Sequence, residues 1–321
     1  MKIELMPALL LVLGTCFPST LAADDEADSI TSGKDVVEQL ATAESETASD
    51  TDDASNTGDS YLLRYKFRQG DVLRYESTSA SEASVTRQNI RQAEQTHVRQ
   101  IRRYEVTEVD DNGQAKIQMR FETVEMSLTP DGSQPIIYKS SMAPAEVPRT
   151  FARVADRLRR SAPKFAVAPT GAPLNKDEEL VGANADESET RLLLPLPEAA
   201  VAVGESWKYY NTVRLRVTKE MNRSVRLLTS CRLQSINGDT ARISFRTSVV
   251  STVKLPKVKA MLIKTLPVGH VQLDLKQGRI TERVIRNDES VFGVYGPKTM
   301  MTLSSHSIEK LLPPQSVVSG R

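Results

Sequence analysis

The sequence predicts a mainly β (α+β) protein: two tandem curved antiparallel sheets, or half-barrels, with one amphipathic helix near residues 147–161. Three observations carry that expectation. From Tyr61 onward apolar side chains recur at every second position through most of the chain, the period of a strand with one buried face. Asn-Gly pairs at 112–113 and 237–238 punctuate these runs as hairpin turns do. A six-residue segment, Gly-Asp-Val-Leu-Arg-Tyr at 70–75, returns as Gly-Glu-Ser-Trp-Lys-Tyr at 204–209, with five of the six places matching in class.

Taken in order, Tyr61, Leu63, Tyr65 and Phe67 alternate with polar residues and predict a half-buried strand. Gln69-Gly70-Asp71 turns the chain, and Leu73 and Tyr75 open a second strand. That strand becomes very polar from Glu76 to Thr96, which reads as a long exposed strand or hairpin; strand character resumes from Val98 to Val109. Asp110-Asp111-Asn112-Gly113 predicts a type I′ hairpin. Beyond it Ile117, Met119 and Phe121 share one parity and Val124, Met126 and Leu128 the other, which requires a bulge near Glu122–Thr123. Val147, Phe151, Val154, Ala155 and Leu158 fall on one helical stripe, with Pro148 in the first turn and Pro163 as the stop. Residues 176–194 read as a linker. Pro195-Leu196-Pro197 is a rigid joint, after which 207–217, 225–236, 241–246, 271–275, 280–285 and 301–303 repeat the strand logic. Residues 257–265 suit either a second helix or a strand.

The chain therefore divides into a leader (1–22), an acidic segment (23–60), a first β repeat with the helix (61–175), a linker (176–194) and a second β repeat (195–321). Lys2, the apolar run from Leu5 to Leu13 and Thr20-Leu21-Ala22 have the layout of a cleaved secretory signal, too short to span a bilayer. The expected address is secreted or periplasmic. Leu13-Gly14-Thr15-Cys16 offers the alternative of a lipoprotein anchored at Cys16. After cleavage Cys231 stands alone, and its strand context predicts a buried, inert thiol. Residues 23–60 hold twelve Asp or Glu against Lys34 alone and cannot bury enough apolar surface to order themselves. The rest, from Tyr61, has 40 bases against 28 acids.

No motif commits the chain to a chemistry. His97, His270 and His306 lie far apart without metal-ligand spacing, and no nucleotide-binding, Ser-elbow or metalloprotease motif occurs. Ser161-Ala162-Pro163-Lys164 and Ser307-Ile308-Glu309-Lys310 spell Ser-x-x-Lys without the rest of that catalytic set. No cofactor, metal or transmembrane span is implied. Only 5% of residues are aromatic, and no nucleic-acid motif accompanies the basic body, which excludes nucleic acid as the expected partner. Anionic lipid or acidic polysaccharide fits the exported address better. Arg149, Arg153, Arg157 and Arg160 are the candidate contacts for such a surface, and Trp207, Tyr209 and Tyr210 the candidate ligand-lining residues.

The order of a Gly-acid-x-aromatic strand start, an Asn-Gly hairpin, a Pro-Leu-Pro joint and the late hairpin of Leu273-Asp274-Leu275 and Gly278 resembles a family of secreted bacterial proteins classed as a domain of unknown function, over about residues 61–311. More loosely, a curved sheet wrapped over a helix is similar to the lipoprotein carriers of the bacterial envelope. The resemblance implies a fold and an address, and no catalytic residue. Two readings of function follow: a non-enzymatic envelope protein that binds a lipid or other amphiphile, and a hydrolase of an envelope polymer with unrecognised catalytic carboxylates. Two facing carboxylates in a groove distinguish the second.

Overall fold

Thirteen strands and two short α-helices organise the residues that the computed structural model describes: 59–159, 164–174, 193–218 and 221–314. The expectations for the leader, Cys16, the acidic segment to residue 58, Arg160 and most of the linker fall outside these residues. The first half runs β1 (Ser60–Tyr61), β2 (Val72–Arg87), β3 (Ile90–Val109), β4 (Ala115–Pro130), β5 (Ile136–Lys139), α1 (Ala152–Leu158) and β6 (Lys164–Val167). The second runs β7 (Val201–Ala202), β8 (Ser206–Arg216), β9 (Asn222–Asn237), β10 (Thr240–Val249), α2 (Pro256–Leu262), β11 (Val268–Asp274), β12 (Arg279–Phe292) and β13 (Thr299–Leu311). Among the described residues, no helix is long and apolar enough to cross a membrane.

The mainly β class is as expected, but the strands of the two halves are hydrogen-bonded into one sheet. Its order is β5-β4-β3-β2-β13-β12-β11-β10-β9-β8, with β6 on the other half of β4; a separate pair, β1-β7, completes the set. All pairings are antiparallel, and the sheet does not close into a barrel. The seam between the halves is β2–β13, thirteen consecutive pairs from Tyr75↔Leu311 to Arg87↔Thr299. The polar stretch from Glu76 therefore lies in the middle of the sheet instead of exposed at an edge. Small side chains make that possible: Ser77, Ala83 and Ser84 are buried there.

Several local expectations hold. The register of β3 against β4 shifts where Ile101 faces Thr123 and Arg102 faces Phe121, so Glu122 is the extra residue. Residues 256–262 form α2, continued by a 3-10 turn at Ile263–Thr265. Helix α1 is shorter than its stripe, because the chain enters it through a 3-10 turn at Arg149–Phe151 after Pro148. Two expectations change. Asn112 does not take positive φ, only Gly113 does (75°), and the turn is instead held by Asp110 Oδ1 accepting from Asn112 N and Gln114 N. Positive φ at both central positions occurs at Gln88 (48°) and Asn89 (66°), in the β2–β3 hairpin. The second change concerns residues 62–68, which keep the alternating burial of a strand but form no ladder. Their backbone bonds go to loops: Tyr65 N donates to Pro169 O (2.8 Å) and Lys66 N to Gly278 O (3.0 Å).

One face of the sheet is covered and the other open. At one end the arm of residues 59–68, with 193–202, packs Leu63, Tyr65, Leu194 and Leu196 onto Leu233, Ile243, Leu273 and Ile280. At the other end α1 sets Phe151 and Val154 on Val124 and Met126, while α2 sets Val258 and Leu262 on Val225 and Leu227. The open face carries many of the basic residues in cross-strand pairs, such as Arg74–Glu122 (2.6 Å), Arg99–Glu76 (2.6 Å) and Lys116–Glu108 (2.7 Å). Exposed pairs of this kind stabilise little, but they keep the face wet.

Candidate functional site

Between the arm and the two helices the covered face has a window, and its floor is set by register. Strands β3, β2, β13 and β12 place one row as Thr96, Ser81, Ser305 and Asn287, and the next as Val98, Ser79, Ser307 and Ile285. On β2, Tyr75 at the arm end and Ala83 at the helix end are 1% and 2% exposed, whereas Ser79 and Ser81 between them are only half-buried. Ser305, Ser307 and Ile285 are half-buried likewise. Four serines on two adjacent strands thus form a floor that no element among the described residues closes over.

Each border has a cause in the sequence. Val98 packs under the α1 cluster. Ala83, Met301 and Leu303 pack under Ala260 and Ile263 of α2 and its 3-10 extension, and Asn287 Nδ2 donates to Ile263 O. On the arm side Tyr75 Oη donates to Ile280 O (2.8 Å). Below the serines Glu309 sits between two guanidiniums, 2.9 Å from Arg102 and 3.8 Å from Arg283, with all three side chains nearly buried. The void beside it, between Tyr65, Tyr75, Tyr104 and Gly278, is about 10 Å³, room for scarcely one water.

Among the described residues, the buried polar atoms of this region that meet no hydrogen-bond partner include Glu94 Oε1, Thr96 Oγ1 and Asn287 Oδ1. Burial pushes the Glu94 carboxyl up to about 7, with Lys264 pulling the other way. Buried polar atoms without partners cost stability unless something else bonds to them. The arrangement offers hydroxyls, an amide oxygen and a carboxyl that titrates near neutrality. It offers the serines no general base from histidine, because strand parity puts His97, His270 and His306 on the open face. There His97 and His306 flank Ala80 in one row, about 10 Å apart. The carboxylates of the covered face are also dispersed. Glu94 and Glu289 share a row three strands apart, about 14 Å, and Glu309 is six residues further along, about 20 Å. Paired carboxylates of a glycosidase stand about 5–10 Å apart.

The aromatic candidates do not line one cleft. Trp207 and Tyr209 are half-buried on the covered face, where Trp207 Nε1 donates to Pro195 O (2.9 Å). Tyr210 points to the open face by the two-residue period of β8; it is 53% exposed with the Arg226 guanidinium 4.0 Å over its ring. Tyr209 does continue the hydroxyl row: beyond the end of β11 it resumes with Thr247 and Thr229, bonded at 2.8 Å, and ends at Tyr209. Arg149 and Arg153 are exposed and Arg157 half-buried. The serine floor went unrecognised in the sequence, although Ser77, Ser79 and Ser81 with Ser305 and Ser307 alternate there plainly. Cys231 is buried as expected, its thiol pushed up to about 12 by burial.

No family model matches the chain, and no curated protein matches it. Among solved structures it is similar to lipovitellin, solved for its lipid–protein interactions, at 12% identity and a TM-score of 0.45 over 80% of this chain and 26% of that one. DynF of the dynemicin biosynthesis pathway of Micromonospora chersina is 7% identical, with a TM-score of 0.20 over 80% and 88% of the two chains. A DUF1329 family protein from Desulfovibrio piger is 9% identical, with a TM-score of 0.13 over 77% and 87%. The chain spans about a quarter of the lipovitellin chain, and at TM-scores below 0.5 none of these likenesses bears on what it does.

Proposed function

We propose that the chain is a non-catalytic binding protein of the bacterial envelope, secreted or periplasmic, that holds a lipid or another amphiphile on the covered face of its sheet. The observation that carries this reading is the window: half-buried Ser79, Ser81, Ser305 and Ser307 beside buried Glu94 Oε1, Thr96 Oγ1 and Asn287 Oδ1, which meet no hydrogen-bond partner among the described residues. A ligand's polar group at that row completes those bonds. Native mass spectrometry of protein purified from a bacterial periplasm tests it. A co-purifying amphiphile is expected, and it should disappear in Ser81→Phe and Ser305→Phe, which fill the window. Ligand-free protein that also fails to bind a fluorescent fatty-acyl probe overturns the reading.

We infer also that 61–175 and 195–321 are copies of one unit. In support, both Gly-acid segments lead into the first strand of an antiparallel meander with a helix after it, β2-β3-β4-β5-α1 and β8-β9-β10-α2, the first having β5 as an extra strand. Leu73 and Trp207 are both half-buried on the covered face. The two Asn-Gly turns differ in geometry, since 110–114 bridges five residues and Gly238-Asp239 only two.

A further inference from the structure

The end of the molecule away from the arm carries a surface that the window does not use. Three connections meet there: the β2–β3 hairpin, the β12–β13 loop and the segment between β10 and α2. Arg87 pairs with Thr299 at the foot of the loop, Val294 of that loop packs with Val85 and Ala260, and Pro256 lies 3.6 Å from where a Cβ of Gly293 would stand. Each connection presents a large apolar side chain to solvent. Phe292 is 70% exposed, Ile90 66%, Leu255 43% and Tyr295 36%.

The three connections themselves carry charge of one sign, while the acids at this end include Asp131 of the β4–β5 turn, whose N donates to Ala93 O, and Glu82, which pairs with Arg91. Residues 86–91, 250–259 and 292–299 contain six Lys or Arg and no Asp or Glu. Arg87, Lys254, Lys257 and Lys298 among them are exposed. The turns at the opposite end carry Asp110, Asp111, Asp239, Glu198 and Glu205 against Arg68 and Lys276. A field of this polarity points the apolar tips at an anionic surface and turns the acidic end away.

We propose that this rim docks on an anionic lipid bilayer, with Phe292, Ile90, Leu255 and Tyr295 entering the interface and the lysines and arginine against headgroup phosphates. Aromatic and aliphatic tips ringed by Lys and Arg are what the interface of a bilayer accepts, since the rings and chains bury while the cations stay with the phosphates. The rim is separate from the α1 arginines and does not depend on a ligand in the window.

Flotation of the full chain with lipid vesicles tests it. Binding is expected to vesicles of phosphatidylcholine with roughly 30 mol % phosphatidylglycerol, and to weaken in high salt. Lys254→Glu and Lys298→Glu should each lower partitioning by about fivefold or more. Phe292→Ser and Ile90→Ser should lower it while leaving the melting temperature unchanged, because both side chains are already in water. Absence of binding to the anionic vesicles overturns the proposal. So does binding that survives the rim variants but is lost in Arg149→Glu/Arg153→Glu, which would place the contact on α1, and so does capture only by a protein partner. The window's own test, a co-purifying amphiphile, can succeed or fail independently.

Discussion

Gly278 meets a backbone that leaves no room for a side chain. Its φ is +62°, and a Cβ there would stand 2.4 Å from Lys66 N, the same atom that donates to Gly278 O. Gly238 has a similar φ of +56° with open space around it. Gly238→Ala should therefore cost only the left-handed strain, about 1–2 kcal/mol. Gly278→Ala should cost about 2–4 kcal/mol, because the arm must also lift. Urea denaturation of the two variants checks the difference. Glu94 supplies a pH signature at the same scale. Its folded pKa of about 7 lies above the ordinary 4.5, so the folded state holds the proton more tightly. That stabilisation is complete below about pH 4.5 and is lost as pH rises through 7. Glu94→Gln should then be more stable than the parent at pH 8 by on the order of 1–3 kcal/mol, and the gain should shrink toward pH 4. Melting temperatures across that range decide it; a gain independent of pH counts against a buried ionising Glu94.

At the scale of elements the arm joins what the sheet alone leaves loose. Tyr65 Oη donates to Leu194 O (3.0 Å) and accepts from Leu194 N (2.9 Å), tying residues 59–68 to the Pro195-Leu196-Pro197 segment. The Arg64 guanidinium donates to Leu63 O, Pro197 O and Glu198 O. The joint expected at Pro195 is thus a packed strap, with Leu194 and Leu196 each 6% exposed. Tyr65→Phe keeps the ring and leaves both buried Leu194 groups without this partner, a cost of about 1–3 kcal/mol. Limited proteolysis should then cut at Lys66 or Arg68 faster than in the parent, and unchanged cleavage would show that the strap is held by packing alone.

For the whole molecule the decisive feature is the β2–β13 seam. Residues 61–175 expressed alone would expose the β2 edge along all thirteen positions that pair with β13, and edges of that length aggregate. Leu63 and Tyr65 would also lose the second-half strands they pack against. The intact protein should unfold in one transition, with Trp207 fluorescence, which reports the second half, tracking far-ultraviolet circular dichroism. Two separated transitions, or a monomeric, cooperatively folded 61–175 fragment, would show that the seam is not what holds the halves.

The sequence by itself determined what depends on neighbours along the chain. Strand positions, the bulge at Glu122 and the helical stripe around Phe151 and Val154 are written in local periodicity, because burial on one face imposes a period of two or 3.6 wherever the strand or helix finally sits. Tertiary structure decided what depends on distant pairing. Nothing local to Glu76–Arg87 says that its partner is Thr299–Leu311, and the alternation of residues 62–68 cannot tell a ladder strand from an arm bonded to loops. The window was legible only in halves, as serines on β2 and serines on β13. It became a site once a register of antiparallel hydrogen bonds, fixed over more than two hundred residues of intervening chain, set Ser81 beside Ser305 and Ser79 beside Ser307.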